Sequence, residues 1–242
     1  MELRLLYRGL KARYRDQKAE LGTLARALSR GDIAVDVGAN KGSYTWGLAR
    51  AAGRVVAFEP QRALAGKLAK ACGAAGLSNV RVEAAGVSAK SGRLTLNIPG
   101  DGDSPDASFE AHAERRGGAH RIEVPTYALD DYFRDEAARI GAIKIDVEGH
   151  EAAVLEGAAG LIAKHHPAIV VECEQRHLGS GTVEQVIGRL LDAGYTGYFV
   201  QRGALRPVSE FDRAVHQPMG EGRFWDEPDY CNNFVFLVEA SD

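Results

Sequence analysis

The residues most suited to chemistry lie in a glycine-rich turn and at the ends of predicted β-strands. The segment 35–44 follows a short apolar run and precedes a helical pattern, and it contains Asp36, Gly38 and Gly42. Glycines at such a turn let a ligand approach the backbone closely, because no Cβ atoms intervene. The strand before the turn carries an acid and no base, so we expect a cationic ligand rather than a phosphate.

Acids also end every predicted strand of the main sheet. They are Asp36, Glu59, Glu83, Asp146 with Glu148, and Glu172 with Glu174. Ligands of open α/β sheets bind outside the carboxyl ends of the strands, so these side chains are expected to surround one site. A ring of acids repels a pyrophosphate but attracts S-adenosylmethionine, which carries a sulfonium and an ammonium group and no phosphate. The charges therefore favour S-adenosylmethionine over a dinucleotide.

Two strand ends are predicted to hold the nucleoside part of the cofactor. Glu59 follows Gly38 by 21 positions, a spacing that suits hydrogen bonds from the two ribose hydroxyls. NAD carries the same ribose diol, so Glu59 alone does not separate the two cofactors. Glu83, or the backbone near Ala84, is predicted to meet the adenine amine.

The segment 144–151, with the sequence KIDVEGHE, is the second candidate for chemistry. Strand alternation places Lys144, Asp146 and Glu148 on one side and apolar residues on the other. Buried charges in a central strand are costly unless they are paired, which favours a functional interpretation. Oxygen and nitrogen ligands for a divalent metal are present in Asp146, Glu148, His150 and Glu172, but their spacing matches no tight metal motif, and we predict no metal.

The elements that position these residues alternate between strands and helices, which predicts a mostly parallel sheet with helices on both faces. Strands are predicted at 33–37, 54–58, 80–83, 143–147 and 168–172, with 198–201 and 234–239 as an antiparallel pair at one edge. Short strands at 94–98 and 121–125 flank a polar segment, 100–120, that is either a surface loop or an active-site lid.

Residues 1–30 show a helical leucine spacing and many bases, among them Arg4, Arg8 and Arg13. We predict a helical extension that packs on a single domain formed by residues 31–242. A substrate lid, a contact between two copies of the chain and a weak contact with a membrane surface remain open as its function.

Composition excludes several classes of function. The net charge of −3 argues against nucleic acid as the main partner, because such binding normally needs a basic surface. Cys72, Cys173 and Cys231 match no CxxC spacing, and neither a signal peptide nor a long apolar run is visible. We therefore expect a cytoplasmic protein without an integral membrane segment.

The motifs together resemble the FkbM family of S-adenosylmethionine-dependent methyltransferases. The resemblance runs from about residue 33 to residue 174 and is carried by VDVGANKGSYT, VVAFEP, GVSAKSGRLTL, VPTYALDDYF, IKIDVEGHEAAVLEGA and PAIVVECE. It implies a Rossmann-like class I fold with a seven-stranded sheet and an antiparallel strand near the C-terminus. It also implies methyl transfer, usually to oxygen, on sugars, glycans or secondary metabolites.

The resemblance also implies roles for individual residues. Asp146 is expected to face the sulfonium or the acceptor, and Glu59 the ribose. The methionine part is expected to lie against the turn, at Asp36, Gly38, Ala39, Asn40, Gly42 and Ser43.

A hydroxyl acceptor must lose its proton, so a general base is expected near the methyl group. The candidates are Asp146, Glu148, His150 and Glu172. We predict O-methylation of a small-molecule or glycan acceptor by a chain that could form a homo-oligomer. The alternatives are an NAD(P)-dependent oxidoreductase, which the D-x-G-x-N-x-G turn disfavours, a non-catalytic nucleotide-binding module, and a nucleic-acid methyltransferase.

Overall fold

The computed structural model describes residues 2–12, 15, 17–100, 102–110 and 119–238. Arg13, most of the second half of the polar segment and the last residue of the strand predicted at 234–239 lie outside the described residues. The strands are β1 (Ile33–Val37), β2 (Arg54–Phe58), β3 (Val80–Glu83), β4 (Gly86–Val87), β5 (Gly92–Pro99), β6 (Ala119–Tyr127), β7 (Ile140–Ile145), β8 (Ala168–Glu172), β9 (Thr196–Gln201), β10 (Ala204–Pro207) and β11 (Asn233–Leu237). The helices are α1 (Glu2–Lys11), α2 (Lys18–Ala27), α3 (Ser43–Ala49), α4 (Arg62–Ala74), α5 (Leu129–Tyr132), α6 (Glu151–Glu156), α7 (Ala159–His165), α8 (Val183–Asp192) and α9 (Arg213–His216).

The main sheet has the strand order β10-β9-β11-β8-β7-β1-β2-β3. Its centre is parallel, and β1 pairs with β2 on one side and with β7 on the other. Every residue of β1 and β7 is buried, as expected for strands whose two faces are both covered by helices. The predicted α/β fold is confirmed, and the bounds of β1, β2, β3 and β8 agree with the prediction.

The sheet has eight strands, so the expected number of seven is wrong by one. The additional strand, β10, pairs antiparallel with β9. Arg202 and Gly203 connect them and have φ values of 49° and 76°. Two successive positive φ values form the tight turn that suits the twist of a β-hairpin. The antiparallel pair of β9 and β11 lies inside this end of the sheet, because β10 forms the edge.

A second sheet of three strands, in the order β4-β6-β5, carries the polar segment. The antiparallel strands β5 and β6 extend beyond the predicted bounds. Between them, residues 102–110 turn back toward the main sheet, and Ser108 forms an isolated bridge with Asn97. We call residues 102–110 the cover segment.

The first two helices confirm the helical pattern predicted for residues 1–30, and α1 packs on α3 and α4. A Cβ atom at Gly9 would lie 2.3 Å from the Trp46 ring, so glycine permits the close approach of α1 to α3. Leu5 and Leu24 are buried in the same apolar cluster as Val170 of β8. No helix among the described residues combines the length and apolar character needed to cross a membrane.

Candidate cofactor site

The glycine-rich turn after β1 is held tightly between its neighbours. The N–H groups of Gly38 and Ala39 both donate to the Phe58 carbonyl oxygen, at 3.0 and 2.9 Å. Gly38 has a φ of +77°, and a Cβ atom there would lie 1.7 Å from the Asp146 carbonyl oxygen. A side chain at this position is therefore excluded both by backbone conformation and by space.

A first cavity of about 340 Å³ lies between the turn, the carboxyl ends of β7 and β8, and α1. It is lined by Arg8, Lys11, Ala12, Gln17, Asp36, Gly38, Ala39, Asn40, Lys41, Ser43, Tyr44, Lys144, Asp146 and Glu172. The structure thus brings together the predicted residues of the turn with two of the four candidate bases. Gly42 does not line the cavity, because it faces Leu68 of α4 and Leu5 of α1.

A second cavity of about 130 Å³ adjoins the first and shares Gly38, Asn40 and Asp146 with it. Its walls are the end of β2 with residues 59–61, the strand β4, the cover segment and Glu148. The two cavities form one elongated cleft over the carboxyl ends of the parallel strands, where ligands of such sheets bind.

Glu59 lines the second cavity and is buried. Its carboxylate accepts hydrogen bonds from the backbone N–H of Asn40 and of Gln61, both at 2.9 Å. Burial raises the pKa of Glu59 to about 7, against the lowering effect of these two bonds. The fold therefore holds this carboxyl group rigidly at the lip of the turn.

The first cavity contains three carboxylates, from Asp36, Asp146 and Glu172, near the buried ammonium group of Lys144. The Nζ atom of Lys144 is 3.6 Å from Asp146 Oδ2 and 3.8 Å from Glu172 Oε2, and it lies 4.8 Å from the centre of the Tyr44 ring. Burial raises the pKa of Asp36 to about 6, and the Thr45 hydroxyl donates to it. Burial and the nearby Asp146 raise the pKa of Glu172 well above its usual range, although Lys144 opposes this effect.

Lys144 and the bases of α1 were not predicted as site residues. Strand alternation places Lys144 beside Asp146, but a charged strand residue gives no indication that it lines the cavity. Arg8 and Lys11 reach the cavity only because α1 crosses α3, and no local pattern in the sequence predicts that contact. Positively and negatively charged side chains therefore both line the first cavity.

Glu148 lines the second cavity and adopts a φ of 53°, which is unusual for a residue with a side chain. Its carboxyl group contacts the His177 imidazole, and the Ser108 hydroxyl donates to its backbone carbonyl at 2.6 Å. The pKa of Glu148 is raised to about 8, mainly by burial and to a smaller extent by repulsion from Asp146.

His150 lies outside both cavities. Its Nε2 atom is 2.9 Å from the Ser88 hydroxyl, and its Nδ1 atom is 3.0 Å from the Glu110 carboxylate. The Phe109 ring packs beside the imidazole, with ring centres 5.1 Å apart. Both ring nitrogens are therefore engaged, Nδ1 with the cover segment and Nε2 with Ser88, and the imidazole is not positioned to face a ligand in the cleft.

Glu83 and Ala84 also lie outside the two cavities. The Tyr132 hydroxyl donates to the Glu83 carboxylate at 2.7 Å, and Arg81 forms an ion pair with the same group. Ala84 is exposed. The wall next to β2 is formed instead by Gly86, Val87 and the cover segment, so the structure does not bring the predicted adenine contacts to the cleft.

The donor set fits a ligand that carries cationic and hydrogen-bonding groups. Among the described residues, the buried Asn40 Oδ1, Tyr44 hydroxyl and Gln17 Oε1 atoms have no hydrogen-bond partner. All three belong to side chains that line the first cavity, and unpaired buried polar atoms are costly unless a ligand satisfies them. Within the described residues, no three His, Cys, Asp or Glu side chains are placed to hold a metal ion.

The parallel sheet, its strand order and the cleft at its carboxyl edge are those of the Rossmann-like class I methyltransferase fold. Residues 36–196, more than half of the chain, match the family model for the methyltransferase FkbM domain. The chain therefore belongs to the FkbM methyltransferase family, as the sequence motifs indicated, and its cofactor is S-adenosylmethionine.

Three solved structures resemble the chain at low sequence identity, and the first of them shares its fold. Methyltransferase FkbM from Methylobacillus flagellatus is 17% identical to the chain, with a TM-score of 0.54. The match covers 98% of this chain and 54% of that protein, so the chain spans about half of that protein's length. An rRNA methylase from Streptococcus thermophilus is 16% identical over 93% and 95% of the two chains, with a TM-score of 0.45. The Streptococcus mutans protein SMU.1697c, in complex with SAH, is 12% identical over 92% and 97%, with a TM-score of 0.47. No curated protein sequence matches the chain.

Proposed function

We propose that the chain methylates a hydroxyl group of a sugar, a glycan or a secondary metabolite. The observation that carries the proposal is the position of Asp146 and Glu172, two carboxylates in the same cavity as the glycine-rich turn. A carboxylate beside the methyl donor can accept the proton that a hydroxyl acceptor must lose.

The cleft offers a place for each part of the cofactor. We assign the methionine part to the first cavity, where Asp36 and Asp146 attract its ammonium group and Arg8 or Lys11 meets its carboxylate. We assign the adenosine part to the second cavity, with the ribose hydroxyls donating to Glu59. When bound, S-adenosylmethionine supplies an electrophilic methyl group.

Glu172 is our choice for the general base. Its Oε1 atom accepts a hydrogen bond from the Asn232 side chain at 2.8 Å, which fixes the carboxylate. Its raised pKa increases its basicity, so it removes a hydroxyl proton more readily than an ordinary exposed carboxylate does. His150 is less suitable, because both of its ring nitrogens are hydrogen-bonded outside the cleft.

The cover segment excludes water from the reacting groups. The Gln61 side chain donates to the Ser104 carbonyl at 2.8 Å and accepts from the Ser104 N–H at 2.9 Å. The Ser108 bond to the Glu148 carbonyl fastens the other end. A closed cleft aligns the acceptor oxygen with the methyl group and limits hydrolysis.

The three cysteines are free and buried, which supports our proposal of a cytoplasmic location.

Methyl transfer from radiolabelled S-adenosylmethionine tests the proposal. The acceptor panel contains saccharides and hydroxylated metabolites, their amino and deoxy analogues, and RNA, since one structural relative is named an rRNA methylase. We expect label only in compounds with a free hydroxyl. Label confined to amines or to RNA would contradict the proposal.

A matched pair of variants tests the base. Glu172→Gln should lower kcat by about 100-fold or more, within the range for general-base catalysis, with little change in the affinity for S-adenosylmethionine. Glu156→Gln removes an exposed acid of α6 and should leave both values unchanged. Wild-type turnover by Glu172→Gln would assign the proton to another group.

A further inference from the structure

A third cavity lies between α1, α4 and the cover segment. Its volume is about 390 Å³, larger than either part of the cofactor cleft. Its floor is apolar and is formed by Leu5, Leu64, Leu68, Ala71 and Pro105. A concave site of this size, with an apolar floor and a few polar groups, is typical of small-molecule binding.

The third cavity adjoins the cofactor cleft and shares lining residues with it. Asn40 lines all three cavities, and Arg8 and Lys41 line both the first and the third. The Oδ1 atom of Asn40 is buried and has no partner among the described residues. Asn40 therefore lies where the methionine and adenosine parts of the cofactor are expected to join. The methyl group is carried at this junction, so a molecule in the third cavity reaches it.

The rim of the third cavity is positively charged. Arg8, Lys41 and Lys67 line it together with one acid, Asp103, whose carboxylate pairs with Lys67. The whole chain has a net charge of −3, whereas this rim carries three bases and one acid and is therefore net positive. Such a rim favours an anionic group on the ligand.

We propose that the third cavity is the acceptor site, and that the acceptor is amphipathic, with a sulfate, carboxylate or phosphate group beside an apolar portion. The apolar portion lies on the floor between α1 and α4, and the anionic group meets Arg8, Lys41 and Lys67. The hydroxyl to be methylated points toward Asn40. This inference rests on the proposed function, because it names the class of molecule that the methyltransferase modifies.

Isothermal titration with simple amphiphiles tests the inference on the full chain saturated with S-adenosylhomocysteine. Octyl sulfate, octanoate and octyl phosphate present the three anionic groups, and octanol is the neutral control. We expect at least one anionic probe to bind at least tenfold more tightly than octanol without displacing S-adenosylhomocysteine. Equal affinity of octanol, absence of binding, or displacement of S-adenosylhomocysteine would overturn the inference.

Two substitutions on α4 provide a matched pair. Lys67→Gln should weaken binding of the best anionic probe about tenfold, the effect of losing one charge-assisted contact. Lys70→Gln makes the same change in charge at an exposed position that does not line the cavity, and it should have no effect. Equal effects of the two variants would show that the attraction is non-specific and would refute the site.

A third substitution fills the cavity without changing charge. Ala71→Phe should abolish binding of every probe, and circular dichroism checks that the variant is folded. Persistent binding by a folded variant would place the probes elsewhere. Binding of S-adenosylhomocysteine is measured first and alone: if it fails, the proposed function fails, whereas the probe titrations, repeated on the unliganded chain, still report on the cavity itself.

Discussion

Replacement of Glu59 by glutamine gives the sharpest test of the cofactor site. Glu59→Gln keeps the shape of the side chain but removes its charge and one acceptor oxygen. In the native structure the two carboxylate oxygens accept from Asn40 N–H and Gln61 N–H, and each oxygen retains a lone pair for a ribose hydroxyl. The variant therefore keeps at most one acceptor for two ribose donors.

The expected loss of affinity follows from these contacts. A hydrogen bond to a charged group contributes about 1.5–3 kcal/mol. Removing one such bond, and the charge behind the other, should raise the Kd for S-adenosylmethionine about 10- to 150-fold. Asp192→Asn, an exposed acid at the end of α8, is the control for the change in net charge and should leave the Kd unchanged.

The pH dependence separates the role of Glu59 from a general effect. Its pKa of about 7 means that the carboxyl group is largely protonated below pH 7 and must release a proton to accept two ribose hydroxyls. Wild-type affinity should therefore fall by about a factor of ten per pH unit below 7, and binding should release up to about one proton. Glu59→Gln should lose this slope, while Asp36, with a pKa of about 6, contributes a separate slope below pH 6 in both proteins.

Stability changes with pH in the direction opposite to that of the affinity. Because the folded state raises the pKa of Glu59 from 4.5 to about 7, its contribution to stability is present below pH 4.5 and is lost as the pH rises through 7. Calorimetric titration at pH 6 and pH 8 measures the affinity, and thermal unfolding measures the stability. A Kd within twofold of wild type, with the same slope below pH 7, would refute the assignment of the ribose to Glu59.

Four further substitutions test the surrounding structure. Gly38→Ala should prevent cofactor binding and lower stability by about 1–3 kcal/mol or more, since its Cβ would overlap the loop after β7. Gly66→Ala is the control, because open space surrounds its Cβ. It should stabilise α4 by about 0.5–1 kcal/mol in thermal unfolding. His150→Gln should weaken cofactor binding a few-fold by loosening the cover segment but keep most of kcat; complete loss of turnover would make His150 the base. Lys144→Met should move the acid limb of the pH–rate profile to higher pH, because the ammonium group lowers the pKa of Glu172. An unmoved profile would show that Lys144 does not influence the general base.

The parallel strands were predictable from the sequence because they are continuous apolar runs. The bounds of β1 and β2 follow directly from such runs. β7 was less predictable, since it begins at Ile140 and ends at Ile145, before the charged part of KIDVEGHE. Asp146 and Glu148 consequently lie in a loop, where both can line the second cavity. β10 escaped prediction because its residues, ALRP, carry no strong strand pattern.

The candidate site was predictable where it depends on residues near strand ends, and unpredictable where it depends on distant contacts. The turn, Glu59, Asp146 and Glu172 meet as expected, because the carboxyl ends of parallel strands share one edge. Glu83 also ends a strand, but Tyr132 and Arg81 engage its carboxylate. That diversion depends on a helix about 50 residues away in sequence, and no local pattern indicates it.

In our proposals, α1 supplies the bases beside a cleft that binds both a cationic donor and an anionic acceptor. The parallel strands supply acids, and the side chains of Asp36 and Asp146 lie close to the turn to which we assign the methionine part. α1 adds bases to the same cavity, of which Arg8 is shared with the third cavity. Under our proposals, the acids meet the ammonium group of the donor, and the bases of α1 face the donor's carboxylate and, at the third cavity, the anionic group of the acceptor. The proposed sites thus give Arg8 and Lys11 a function in ligand binding.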